Sequence, residues 1–309
     1  MNTQEILSQE KTKTWKIEQL ILAGLTRTAI AELVTNGNYG FVQNVYAKMK
    51  AQGRLNLTAE LNFQPTAFNR QFGVEIEAYG IDKSRLAELI RNAGVECHVE
   101  GYNHSTRRHW KIVTDGSLDG VNAFEIVSPI LEGLEGIEEL QKVCEVLETS
   151  RVKINKSCGL HIHFDASGFG LQQVKNMLFN YASFEAEIDS FMPTSRRENN
   201  NTYCKSVIGY ETRVERATTM QQLASVFSSR YFKVNLQSYS RHNTIEFRQH
   251  SGTVEFKKIS NWIMFLHNLT EYSKTKRVAS NEANFEGLKK INQTEIINYI
   301  VTRQNQLAA

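Results

Sequence analysis

The sequence predicts an α+β fold, with a mainly antiparallel sheet, flanking helices and an N-terminal helical module. Three observations carry this reading. Segments of alternating polar and apolar residues recur from Phe72 onward, among them "FGVEIEAYG", "CGLHIHFD" and "NTIEFRQH". Amphipathic helical stretches separate them irregularly, without a repeated βαβ order. Residues 15–50, by contrast, carry apolar residues at helical spacing. A chain of 309 residues with 41% hydrophobic content is long enough for a large core and, by length, for two or three domains.

Taken in order, Ile17, Leu20 and Ile21 mark a first helix ending near Gly24. Thr28 is placed to cap a second, containing Ile30, Leu33 and Val34. "TNGNYG" has turn chemistry, and Phe41, Val42, Val45 and Met49 give a third helical face. Two helices around a tight Gly-containing turn fit a helix-turn-helix. Residues 1–54 hold seven Lys/Arg against four Glu, so the whole net charge of +3 sits there. An anionic partner is one expectation, with Gln43, Asn44, Lys48 and Lys50 as contacts to DNA. Three-helix units serve as protein-docking or packing modules just as often. Residues 55–69, polar and containing Pro65, read as a linker, which leaves 70–309 as the main domain.

In that domain "DKSRLAELIRNAG" is an amphipathic helix stopped at Gly94. Strand-like segments follow near 95–99, 110–113 and 123–127. A helix over 134–148 presents Leu134, Ile137, Leu140, Cys144 and Leu147 on one face. "CGLHIHFD" is the next strand and 171–191 the next helix. "RYFKVNLQSYS" and "NTIEFRQH" read as paired strands, and helices near 259–273 and 286–304 close the chain. No apolar run is long enough for a membrane helix, and the polar N-terminus does not resemble a signal peptide. Four cysteines without a CxxC suit a reducing compartment, so a cytoplasmic location is expected.

Residues two apart on a strand share a face. The apolar face of "FGVEIE" is Phe72, Val74 and Ile76, which turns Glu75 and Glu77 the other way. The same argument groups His161, His163 and Asp165, then Glu246, Arg248 and His250, and isolates Glu125 between Phe124 and Ile126. Any one such motif usually marks only a solvated strand face. As neighbours in one sheet, however, these strands would gather four glutamates and two histidines on one face. Carboxylates so close repel unless cations neutralise them. Oxygen ligands with an imidazole suit Mg²⁺ or Mn²⁺. Arg248 shares that face, Arg196, Arg197 and Arg230 lie near in sequence, and arginine forks onto phosphate oxygens. The sum is a phosphoryl-transfer site, with metals and arginines around a nucleoside triphosphate such as ATP. GxxxxGK[ST], HExxH and GxSxG are all missing, and "GFGLQQ" breaks the dinucleotide pattern. Gly168 and Gly170, between a strand and a helix, read as a helix cap, with an anion site at that helix N-terminus as the alternative.

"FGVEIE", "TDGSL" at 114–118, "FEIVSPIL", "CGLHIHFD" and "NTIEFRQHSGT" resemble, in that order, the amidoligase family over about residues 70–275. That family groups with glutamate–cysteine ligase and glutamine synthetase among the carboxylate–amine ligases. The resemblance implies a curved, mainly antiparallel sheet of glutamine synthetase type, forming a half-open cup that holds ATP and Mg²⁺. It implies a ligase that activates a carboxylate as an acyl phosphate, which an amine then displaces with release of ADP and phosphate. It assigns Glu75, Glu77, Glu125, His161 and Glu246 to metal and His163 to ATP, where Arg230, Arg196 and Arg197 are the arginines expected from the sequence to join it. It gives Glu75, Glu246 and Arg248 to catalysis, and Asp115, Ser117 and Ser128 to the substrate pocket. Thr244 stands where glutamine synthetase carries a further arginine, a role that passes to Arg241, to Arg230 or to no residue. Two other functions fit the same residues. One is a small-molecule kinase on the same scaffold. The other is a DNA-binding regulator whose ligase-like domain senses a ligand.

Overall fold

The computed structural model describes residues 3–23, 25, 27–52, 54 and 68–308. Gly24, the Thr28 side chain and most of the expected linker, Pro65 included, lie outside the described residues. The chain divides into two compact units, Met1–Gln64 and Pro65–Ala309.

The first unit holds helices α1 (Thr3–Ser8), α2 (Lys13–Leu22), α3 (Arg27–Thr35) and α4 (Tyr39–Ala51). Thr12 caps α2 by accepting from the Trp15 backbone N–H, and Asn38 caps α4 by accepting from that of Phe41. Between α3 and α4 the chain reverses through Asn36 (φ 51°) and Gly37 (φ 82°), left-handed conformations that these residue types tolerate best. Ile17, Leu20, Ile30, Val42 and Met49 interlock as the core of this unit. Leu33 and Phe41, expected on the apolar faces, are instead exposed. Of the four expected contact positions, Gln43 accepts from Arg27 at 3.1 Å, while Asn44, Lys48 and Lys50 are exposed.

The second unit is built on one sheet. Its strands are β1 (Gln71–Ala78), β2 (Cys97–Val99), β3 (Trp110–Thr114), β4 (Phe124–Val127), β5 (Leu131–Glu132), β6 (Leu160–Asp165), β7 (Val234–Asn235) and β8 (Thr244–Phe247). The order is β2-β3-β4-β1-β6-β8-β7, with β5 paired to β1. Among the strand pairs β2–β3 is parallel, and the others are antiparallel. This corrects the expectation of a curved sheet of glutamine synthetase type. A sheet curls shut when its terminal strands pair, whereas β2 and β7 stand at opposite ends and hydrogen-bond only inward. The sheet is mixed, mostly antiparallel and open.

Helices α5 (Lys83–Asn92), α6 (Gly133–Thr149), α7 (Leu171–Ser190) and α11 (Phe256–Thr275) flank it, with shorter α8 (Glu211–Arg216), α9 (Met220–Ala224) and α10 (Gln237–His242) before β8. Helices α12 (Phe285–Ile291) and α13 (Thr294–Ala308) end the chain. Phe72, Val74, Ile76, Ile162, Phe164 and Phe247 are buried on the helix side of the sheet. Tyr181 of α7 packs on Phe247, and His267 of α11 on Phe164. Trp110 of β3 donates its indole N–H to Glu139 of α6 at 2.7 Å. Leu134, at the start of α6, is exposed. Residues 237–240, expected at the end of a strand, form α10 together with Arg241 and His242. Asn235 accepts from the Gln237 N–H at 2.8 Å, and Asn243 ends the helix at φ 52°. The chain thus turns back in the left-handed region rather than in a hairpin.

Lys233, which leads into β7, is fully buried and donates to Glu185 at 2.8 Å and Asp189 at 2.7 Å on α7. The same two carboxylates accept from the backbone N–H groups of Val207 and Glu198. A charged network thereby ties the end of the sheet to the helix behind it.

Candidate active site

With the apolar face of the sheet turned to the helices, the strand pleat delivers the polar residues to the other face. Pairing then sets them side by side across five strands. Glu77 of β1 faces Glu125 of β4, and Glu75 faces His161 of β6. His163 faces Glu246 of β8, which in turn faces Asn235 of β7. The ladder lines a pocket of about 1590 Å³ together with Asp115, Ser117, Arg230, Arg241 and Arg248.

Distances within the ladder are short. His161 Nδ1 lies 3.1 Å from Glu75 Oε2, and its Nε2 lies 3.6 Å from Glu77 Oε1. His163 Nδ1 pairs with the Thr244 hydroxyl at 3.1 Å. Its buried Nε2, 3.3 Å from Glu75 Oε1, makes no hydrogen bond there or elsewhere among the described residues. Glu246 is held by the Arg248 guanidinium and by Asn235 Nδ2, which donates at 2.5 Å. Gly159 leaves room for the rest: a Cβ there would sit 2.9 Å from His161 Nε2 and 3.2 Å from Glu77 Oε2.

The electrostatics follow from this crowding. Burial and the Glu75 and Glu77 charges hold the Glu125 carboxyl well above the usual carboxylate range. Burial opposes ionisation of Glu75 too, but the charges on His163 and His161 and the hydrogen bond from His161 outweigh it, leaving its pKa well below that range. At Glu246 burial is likewise overcome, here by Arg248 and His163, and the pKa is lowered. For His163 burial disfavours the imidazolium, yet Glu75 and Glu246 raise its pKa. Glu125 is thus the carboxyl whose charge its neighbours oppose, whereas the imidazoles and Arg248 compensate Glu75 and Glu246.

Three sets of donors stand close enough to share an ion: Glu75, His163 and Glu246; Glu75, Glu125 and His161; Glu77, Asp115 and Glu125. In each, one ligand atom per residue lies within 4.8 Å of the others. Oxygen-rich sets with at most one imidazole fit a hard divalent cation. Asp115, expected beside the substrate, stands in one of these sets, and His163, expected at phosphate, in another.

A family described as "Putative amidoligase enzyme" matches residues 68–270. The chain belongs to the amidoligase family. It is accordingly an enzyme of the carboxylate–amine ligase type. No curated protein matches it. No helix among the described residues of this amidoligase is long and apolar enough to cross a membrane.

Three expected site residues do not line the pocket. Ser128 accepts from the Val74 N–H at 2.9 Å and donates to the Pro129 carbonyl at 2.7 Å, so its hydroxyl fastens β4 to β1. Arg196 is buried and donates to the Cys158 carbonyl at 2.5 Å. Arg197 donates to the Met192 carbonyl at 2.7 Å. His250, grouped with Glu246 by alternation, lies beyond the end of β8 and packs against Trp262. Burial keeps it neutral, with a pKa pushed down to about 3. Sequence reasoning missed Tyr102, His104, Tyr203, Tyr231, Asn235 and His242, all on the pocket wall of the amidoligase. Asn235 was within reach, because the "VN" of "KVN" is the strand that pairs with "TIEF". Tyr102, His104, Tyr203 and Tyr231 sit in segments without periodicity, and His242 ends the short helix α10.

Proposed function

We propose that the protein joins a carboxylate to an amine at the expense of ATP, through an acyl phosphate, with Mg²⁺ or Mn²⁺ held in the pocket. One observation carries this: four carboxylates and two imidazoles meet on one sheet face, with the guanidinium of Arg248 among them. The bound cations would neutralise the β- and γ-oxygens of ATP. Glu75, Glu77, Glu125, His161 and Glu246 would hold them, with Asp115 and His163 completing the sets. Arg248, fixed by Glu246 and by the Tyr203 carbonyl at 3.3 Å, is positioned to stabilise charge on the transferring phosphoryl group. Arg230, which lies over the Tyr231 ring at 5.4 Å, supplies a second guanidinium for phosphate on the same wall. Ser117 donates to Asp115 at 2.6 Å and borders the space left for substrate.

In the first step a carboxylate oxygen attacks the γ-phosphorus, and ADP leaves with the electrons of the bridging P–O bond. In the second the amine nitrogen attacks the acyl carbon, the C–O bond to phosphate breaks with its electrons leaving on the phosphate, and the proton lost by the amine passes to water. The test offers the full chain Mg²⁺, ATP, a panel of carboxylic acids and hydroxylamine. ADP and phosphate should form together with a hydroxamate, and a chelator should stop the reaction. AMP and pyrophosphate would overturn the mechanism. So would a phosphorylated acid that persists with every amine, the kinase outcome.

A further inference from the structure

The pocket-bearing face of the sheet ends at β2, where a second group of ligating side chains stands apart from the first. Glu96 precedes β2, His98 lies within it, and His109 precedes β3. The parallel register sets Cys97 opposite Trp110 and His98 opposite Lys111, which brings Glu96 beside His109 on the face that His98 shares. His98 Nε2 lies 3.2 Å from Glu96 Oε1. The two imidazoles meet edge to face, 4.4 Å between centroids. One ligand atom of each of the three residues lies within 4.8 Å of the other two.

We propose that Glu96, His98 and His109 bind a divalent transition ion of the imidazole-preferring class, of which Zn²⁺ is the probe. Two imidazoles and one carboxylate on a rigid pair of strands form a three-ligand set that leaves coordination positions for water. The set differs in kind from the oxygen-rich pocket, because nitrogen donors select zinc-like ions over magnesium. An outer partner is already in place. Glu100 pairs with His109 Nε2 at 2.9 Å and accepts from Arg107 and Asn103, so the His109 ring is oriented before any ion arrives. The side chains of His98 and Glu96 are 49% and 69% exposed, which gives the ion a direct path in.

The position gives the site a consequence. Its ligands stand at both ends of the segment from β2 to β3. That segment carries Tyr102 and His104 to the pocket wall, and Lys111 fastens its middle through Asn103 and Ser105 at 2.9–3.1 Å. An ion across Glu96, His98 and His109 would close the base of the loop and stiffen that wall.

The experiment titrates the metal-stripped full chain with Zn²⁺ in millimolar Mg²⁺, following bound equivalents by calorimetry and loop mobility by hydrogen exchange. His98→Gln should bind one equivalent fewer than the wild type, and Glu75→Gln should keep that equivalent. Zn²⁺ should slow exchange in residues 100–109 of the wild type at least several-fold, and leave His98→Gln unchanged. Equal stoichiometry in wild type and His98→Gln would overturn the proposal, as would loss of the equivalent in Glu75→Gln. Since His98 is exposed, circular dichroism of the variant should match that of the wild type. None of these readouts depends on ligase turnover.

Discussion

Glu125 is the residue at which pocket chemistry and stability are most directly opposed. Burial and two neighbouring carboxylates keep its own carboxyl protonated far above the usual range, so without metal it behaves as a neutral group. Glutamine has that shape and that charge. Glu125→Gln should therefore leave metal-free thermal stability within about 1 kcal/mol of the wild type, the size of an ordinary hydrogen-bond exchange. The stabilisation gained on adding Mg²⁺ or Mn²⁺ should shrink markedly, because the variant lacks a negative ligand. Thermal-shift curves with and without metal check both halves, and an unreduced metal shift would remove Glu125 from the ligand set. His250 and His267 titrate in a different part of the molecule. Burial lowers their pKa values to about 3 and about 4, against about 6.5 in an unfolded chain. The unfolded state thus takes up protons first as pH falls. Stability is complete above about pH 6.5 and declines toward pH 4, by about 1.4 kcal/mol per pH unit for each histidine. The buried His267 Nδ1 has no hydrogen-bond partner among the described residues, so His267→Leu should fold and roughly halve that slope in denaturant titrations. An unchanged slope would show that other groups set it.

Elements differ in how far the sequence revealed them. β1, β4, β6 and β8 were legible because each alternates strictly between a face buried on helices and a face turned to the pocket. The same alternation placed Glu75, Glu77, Glu125, His161, His163 and Glu246 on one side before any pairing was known. It failed where the strand stopped. Arg248 still reaches the pocket from just past β8, but His250, two residues on, turns into the helix layer against Trp262. Ser128 and Arg196 were attractive by residue type, yet the Ser128 hydroxyl bonds backbone at both ends and Arg196 Nη2 donates to the Cys158 carbonyl, which only tertiary structure reveals. Helix α10 was hidden because its six residues are too few for a helical period. Lys233 gave no signal at all, since a lysine leading into a strand normally reads as exposed. Its replacement tests the network that joins β7 to α7. Lys233→Met would leave Glu185 and Asp189 buried without their cation. Loss of about 3–5 kcal/mol is expected from equilibrium unfolding. A change under about 1 kcal/mol would mean that the backbone donors and the Gln249 amide satisfy the two carboxylates without the lysine.

Over the whole molecule, two units each with its own core imply two unfolding events. The first unit closes around Ile17, Leu20, Ile30, Val42 and Met49, and the second has the sheet and its helices. Calorimetry of the full chain should resolve two transitions, and a chain starting at Pro65 should retain the larger one with its midpoint moved by no more than a few degrees. A single merged transition, lost on truncation, would show that the units fold as one. The open sheet also bears on behaviour at high concentration. Open sheets present unpaired backbone donors and acceptors along both margins, the template on which separate molecules join into fibrils. Here β2 is three residues long and β7 only two, and the exposed positions beside and within β2 include the charged Glu96 and polar His98. An open architecture that gives up the protection of closure is thus guarded by brevity at its margins, offering a neighbouring molecule too few rungs to climb.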